Sequence, residues 1–147
     1  MAELYFYRLE GRPLIDVLPQ LVEKSRERGW RVVVEAGLAD SLPDISRALW
    51  TFRPDAFLPH GFEGDGADEP VWLTATAGDN PNRAEARLFV SGAVPGDISA
   101  LSRAMYLFAA DDAAAVEAAR ERWKSAKAEG HGVRYFIHAE GRWKEQG

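Results

Sequence analysis

Three groups of side chains in this 147-residue sequence have types and spacings that can do chemistry. The first is Asp111 and Asp112, adjacent carboxylates where an apolar run gives way to a helical pattern. Paired carboxylates can divide acid and base roles, and in an open α/β sheet ligands bind at the carboxyl ends of strands. A helix start asks for the same residues, one to cap free amides and one to face the positive end of the dipole. That structural reading needs nothing more and is preferred. The second group, His60 with Glu63 and Asp65, could hold a metal on paper, and an acidic surface loop explains it as well. The loop reading is favoured, and no metal or cofactor is expected.

The third group is cationic. Arg120, Lys124 and Lys127 fall at i, i+4 and i+7, one face of a helix, with Trp123 at the edge of that stripe. Between Arg120 and Lys124, and on to Lys144, seven Lys or Arg stand against three Glu in a chain of net charge −5. Cations beside an aromatic suit an acidic peptide with an apolar tip: the cations hold carboxylates and the indole takes the apolar side chain. The alternative is equally simple. Val116, Ala119 and Trp123 are spaced as a core-facing stripe, which makes the charges a solvated face, with Glu117 and Glu121 pairing to neighbours. A second apolar cluster, Trp50, Phe52, Phe57, Leu58 and Phe62, flanks a loop and either closes the core or forms a partner surface.

Several chemistries are excluded. There is no cysteine, hence no disulfide, zinc–thiolate site or thiol nucleophile. Gly11 after the first strand stands alone, without the glycine fingerprint of dinucleotide sites, and no Gly-Lys-Ser/Thr, Gly-x-Ser-x-Gly or His-Glu-x-x-His sequence occurs. A pI near 5.2 disfavours general binding to DNA phosphate, so any role near DNA would run through another protein. No apolar run is long enough for a membrane span, and the first residues lack a signal-peptide pattern. A cytoplasmic location is expected.

The elements that must position these groups follow from periodicity. Aromatic-rich Glu3–Leu9 reads as a strand, and 13–28 as a helix stopped by Gly29, with Pro19 predicting a late start or a kink. The Val32-Val33-Val34 run predicts a strand covered on both faces. A helix follows over 41–50, then a long loop over 53–70, strands over 71–76, 86–91 and 104–109, a short helix around 97–101, and a long helix over 111–129 closed by Gly130. A last strand covers 133–138, and Gly141-Arg-Trp143 is a tail. Strands alternating with helices predict one α/β domain over 1–147: a three-layer open sheet, mostly parallel, Rossmann-like in topology but without a nucleotide motif.

Taken together, several blocks resemble the chi subunit of bacterial DNA polymerase III, the HolC family. They are Leu4-Tyr-Phe-Tyr7; Ala48-Leu-Trp50 with Phe57-Leu-Pro-His-Gly61 and Glu69-Pro-Val-Trp-Leu73; Leu107-Phe108; Ala119-Arg-Glu-Arg-Trp-Lys124 with Lys127 and Gly130; and a terminal Gly-x-Trp. The resemblance covers nearly the whole chain in the right order. It implies a non-catalytic subunit of the clamp-loader assembly that binds the psi subunit and the acidic C-terminal tail of single-stranded DNA-binding protein, contacting nucleic acid only indirectly. By motif position Arg120, Trp123, Lys124 and Lys127 would bind that tail, with Phe108 and Ala109 lining its apolar pocket. Tyrosine is the usual residue at position 123. Trp50, Phe57 and Pro59 would lie near the psi contact. The alternatives are a degenerate nucleotide-dependent enzyme and a purely structural subunit.

Overall fold

The computed structural model describes residues 3–52, 58–139 and 142–146. Seven strands, β1 (Glu3–Leu9), β2 (Val32–Ala36), β3 (Val71–Thr74), β4 (Ala86–Val90), β5 (Arg103–Ala109), β6 (Gly132–Ala139) and β7 (Arg142–Gln146), form one sheet in the order β3-β2-β4-β5-β1-β6-β7. Every neighbouring pair is parallel except β6 and β7. Helices α1 (Leu14–Glu27) and α2 (Leu42–Thr51) cover one face, packing Leu18, Val22, Ile45 and Leu49 among Val34, Leu73, Leu88 and Leu107. Helix α3 (Ala113–Ala128) covers the other face through Ala119 and Ala126, among Phe6, Tyr106 and Phe108. This is the expected three-layer, mostly parallel α/β arrangement.

The local reasons are legible. Val32, Val33 and Val34 are wholly buried because β2 is covered on both faces, and each such side chain contributes roughly 1.5–3 kcal/mol. Helix α1 starts at Leu14 with Pro19 inside it, so the expected late start does not occur. Proline deprives the Ile15 carbonyl of its helical donor, and Ile15 lies where the helix is exposed. At α3, Asp112 is the N-cap and accepts from the Ala115 amide at 3.1 Å, which places the preferred capping role on Asp112. Replacing Asp112 with Ala should cost about 1 kcal/mol, while Asn retains most of it. Urea midpoints of the two variants check this, and an Ala variant as stable as wild type would remove the cap from the account.

Two expectations are corrected. No helix forms around 97–101: Asp97 accepts from both the amide and the hydroxyl of Ser99, and this side-chain bonding holds a turn instead. The C-terminal tail is the edge strand β7. Its anchor is Trp143, directly opposite His138 in the ladder, with ring centroids 4.5 Å from His138 and 4.8 Å from Tyr7. Arg134 adds a two-point pair to Glu145, at 2.8 and 2.6 Å. One apolar side chain among charged neighbours carries no period-2 pattern, so only the packing against β6 reveals the strand.

Over β2, β3 and β4 the face opposite α1 and α2 is covered by the loop 75–85 rather than a helix. The polar groups there satisfy one another. Arg87 donates twice to Glu35 Oε1, at 3.0 and 2.6 Å, and once to the Asp79 carbonyl at 2.6 Å. The Asp79 carboxylate accepts from Trp72 Nε1 at 2.9 Å and from the Thr74 hydroxyl at 3.0 Å. These bonds end β3 at Thr74, two residues earlier than expected. Gly66, at φ +72°, lies where a Cβ would stand 2.7 Å from the Trp72 ring.

His138 is 3% exposed, and its Nδ1 has no hydrogen-bond partner among the described residues. Burial first, and then the charge of Arg12, lower its pKa below the ordinary 6.5. The unfolded chain therefore binds this proton more readily, and stability should fall as pH drops through 6.5 toward the lower folded value. Denaturant midpoints measured across that window should slope less in His138→Gln. Equal slopes would mean that His138 does not contribute.

Candidate protein-binding faces

Helix α3 lays one edge of Trp123 on the sheet. Its ring centroid is 5.4 Å from that of Phe6 and 5.8 Å from that of Tyr135, which it meets edge-on, and Lys127 Nζ lies 5.5 Å from the same centroid. Trp123 is half-buried, while Arg120, Lys124 and Lys127 are exposed. Val116, Ala119 and Trp123 thus face the core, as the stripe predicted, and the cations stand in solvent beside the exposed part of the indole, an arrangement compatible with either sequence reading. Glu117 pairs with Arg120 at 3.6 Å, as the spacing predicted. Both partners are about two-thirds exposed, so the pair is weak and leaves Arg120 free to take another carboxylate.

Phe108 and Ala109 lie at the end of β5. Phe108 is 5% exposed on the α3 side and meets Tyr135 edge-on at 6.1 Å, so it reaches Trp123 through that ring. Ala109 follows it in the strand and alternates to the opposite face. Both line a cavity of about 930 Å³ at the carboxyl ends of β1 and β5, together with Arg122. Arg120, Trp123, Lys124 and Lys127 do not line it. The residues grouped by sequence thus fall into two neighbouring places, the exposed stripe of α3 and the strand-end cavity. Arg122 was not singled out from the sequence. Its signal was angular: two residues on from Arg120, it lies about 200° around the helix.

The second place is the loop after α2. Trp50 is 49% exposed, and its ring centroid lies 4.5 Å from that of His60. His60 Nδ1 donates to the Leu58 carbonyl at 2.8 Å, leaving Nε2 to accept from the Ser46 hydroxyl at 2.7 Å. Both ring nitrogens are engaged, which is the physical argument against His60 as a metal ligand. Among the described residues no three His, Asp or Glu side chains cluster as a metal site. Leu58 is buried, Phe52 and Phe62 pack on the core, and Pro59 is half-buried. The apolar cluster therefore mostly closes the core, with Trp50 at its open end over a shallow groove of about 250 Å³. Phe57 lies outside the described residues.

A mostly parallel sheet with two aromatic-and-charged surfaces, and hydrogen-bonded roles already filled for His60 and Asp112, defines an α/β domain of the open-sheet class. Comparison with known proteins makes it particular. Residues 1–134 match the family of the DNA polymerase III chi subunit, HolC, and the chain belongs to that family. It is 26% identical over 118 residues to DNA polymerase III subunit chi of Pseudomonas aeruginosa, covering 80% of this chain and 81% of that protein. It is 25% identical over 101 residues to a probable DNA polymerase III subunit chi of Rickettsia prowazekii, covering 67% of this chain and 59% of that protein. The family is a non-catalytic accessory subunit of the replicative polymerase, so a replication partner is implied. Among the described residues no helix is long and apolar enough to cross a membrane.

Proposed function

We propose that this chi subunit is the cytoplasmic adaptor through which single-stranded DNA-binding protein is tied to the clamp-loader assembly, and that it folds as one domain for that purpose. The acidic C-terminal tail of that partner lies along α3. The observation that carries this reading is the placement of Trp123, half-buried on Phe6 and Tyr135 with three exposed cations, Arg120, Lys124 and Lys127, around it. The cations take the carboxylates of the tail, and the indole with Phe108 and Ala109 takes its apolar end. Trp50 with Pro59 and Phe57 contacts the psi subunit, and the exposed indole over His60 supports that part.

The test is calorimetric titration with a peptide of several Asp ending in Asp-Ile-Pro-Phe, at low and at high salt. Micromolar affinity is expected, about −8 kcal/mol, and it should weaken as salt screens the exposed cations. Absence of binding at low salt would defeat the tail-binding role, and binding indifferent to salt would defeat the cationic part of it.

A further inference from the structure

The strand-end cavity shares Phe108 and Ala109 with the proposed tail site, and its remaining walls have features that tail binding on the α3 stripe does not use. It opens where β1, β4 and β5 end, with Leu38 beyond β2 on its rim. The Gly37 amide bonds the Val90 carbonyl at 3.0 Å, bringing the ends of β2 and β4 together as one wall. Of the large apolar side chains left exposed, Leu38 and Val94 stand on this rim, at 64% and 54% exposure. Two cations, Arg12 and Arg122, line the cavity, and neither has an ion-pair partner among the described residues. Arg122 Nε is buried without a hydrogen-bond acceptor. Asp111 and Asp112 also line it, and Asp112 is already occupied as the α3 cap.

We infer that this cavity binds a nucleoside monophosphate, with its phosphate between Arg12 and Arg122, its base against Leu38 and Val94, and its ribose hydroxyls donating to Asp111. Each part of the lining selects one part of such a ligand. Unpaired guanidiniums favour a phosphate. Exposed apolar side chains favour a flat, poorly hydrated body. A free carboxylate beside them disfavours a plain anion and rewards one that carries hydroxyl donors. The location agrees, since open parallel sheets bind ligands outside the carboxyl ends of their strands. The missing phosphate-loop glycines mean that the anion is held by side chains, without phosphoryl chemistry.

The experiment is an NMR titration of the full chain with AMP, with adenosine and with 8-anilinonaphthalene-1-sulfonate, following the amides of Gly11, Gly92 and Ala115 against Lys124 on the far side of α3. AMP should shift the cavity amides saturably and leave Lys124 unmoved. Adenosine should bind about tenfold more weakly, and Arg12→Ala should weaken AMP by a similar factor. Arg12 is exposed, so its variant keeps the fold, and Arg122→Ala provides the second reading from the other wall. AMP that leaves the cavity amides unmoved at about 10 mM, well above the millimolar affinities of weak sites, overturns the assignment. Adenosine equal to AMP, or the sulfonate binding more tightly than AMP, also overturns it. Displacement of AMP by the acidic peptide is expected and supports the assignment, because the tail's apolar end is placed on Phe108 and Ala109 of the same cavity. None of these outcomes alters the test of tail binding itself.

Discussion

The Arg120→Ala, Lys124→Ala double variant should lose roughly a hundredfold in affinity for the acidic peptide, about 2.8 kcal/mol, with each single change costing about tenfold. Both side chains are exposed on α3, and their removal leaves the core contacts of Trp123 and Ala119 intact. Loss of binding can therefore be read as loss of the cationic rim, once circular dichroism shows an unchanged fold. The two positions are one turn apart and bind neighbouring carboxylates, so departure from additivity would itself show that they share one. Trp123→Ala is a poorer probe, because it removes the Phe6 and Tyr135 contacts as well, and a large aromatic deleted from a core costs about 3–5 kcal/mol. Trp123→Tyr keeps a ring and should retain most binding. Peptide affinity unchanged in the double variant would leave α3 as a solvated face and favour a purely structural subunit.

Arg87→Met should be strongly destabilising, by about 3–5 kcal/mol. The guanidinium and its partner Glu35 are about 7% and 5% exposed, and the pair is closed by the Asp79 carbonyl. Removing the cation strands a carboxylate under the loop 75–85 and frees that loop from β4. Such a loss is a large part of the total stability of an ordinary domain, about 5–15 kcal/mol. Changing Glu35 to Leu in the same chain should restore much of it, because a buried pair replaced by apolar groups is often neutral. Urea unfolding of the single and double variants tests this. A loss below about 1 kcal/mol in Arg87→Met would mean that water or another group already compensates Glu35.

The layered, mostly parallel sheet and the ends of α3 were legible in the residues alone, while the helix expected around 97–101 and the tail that forms β7 were not. Continuous Val32-Val33-Val34, the Asp111-Asp112 start and the Gly130 stop of α3 are local signals. They depend on burial of a whole strand, on capping of free amides and on the left-handed turn that glycine accepts, with φ +85° at Gly130. The basic stripe of α3 was legible for the same reason, since helical spacing alone places Arg120, Lys124 and Lys127 on one face. The paired blocks of Trp and Phe carried the family, because residue order survives where geometry is still unknown.

Tertiary structure decided the rest. The strand β7 exists because Trp143 finds Tyr7 and His138, residues more than a hundred and five positions away respectively, and no local period announces such a contact. The buried Glu35–Arg87 pair joins positions 52 residues apart, each of which looks like an ordinary surface charge in its own segment. Whether Trp123 was core or binding surface could not be read from spacing, since the same spacing serves both. The half-burial of its ring on Phe6 and Tyr135 shows that part of it packs on the core and part is left exposed. Arg122 and Arg12 come together at one cavity only because parallel strands place all their carboxyl ends on one side of the sheet, where chain segments distant in sequence must meet.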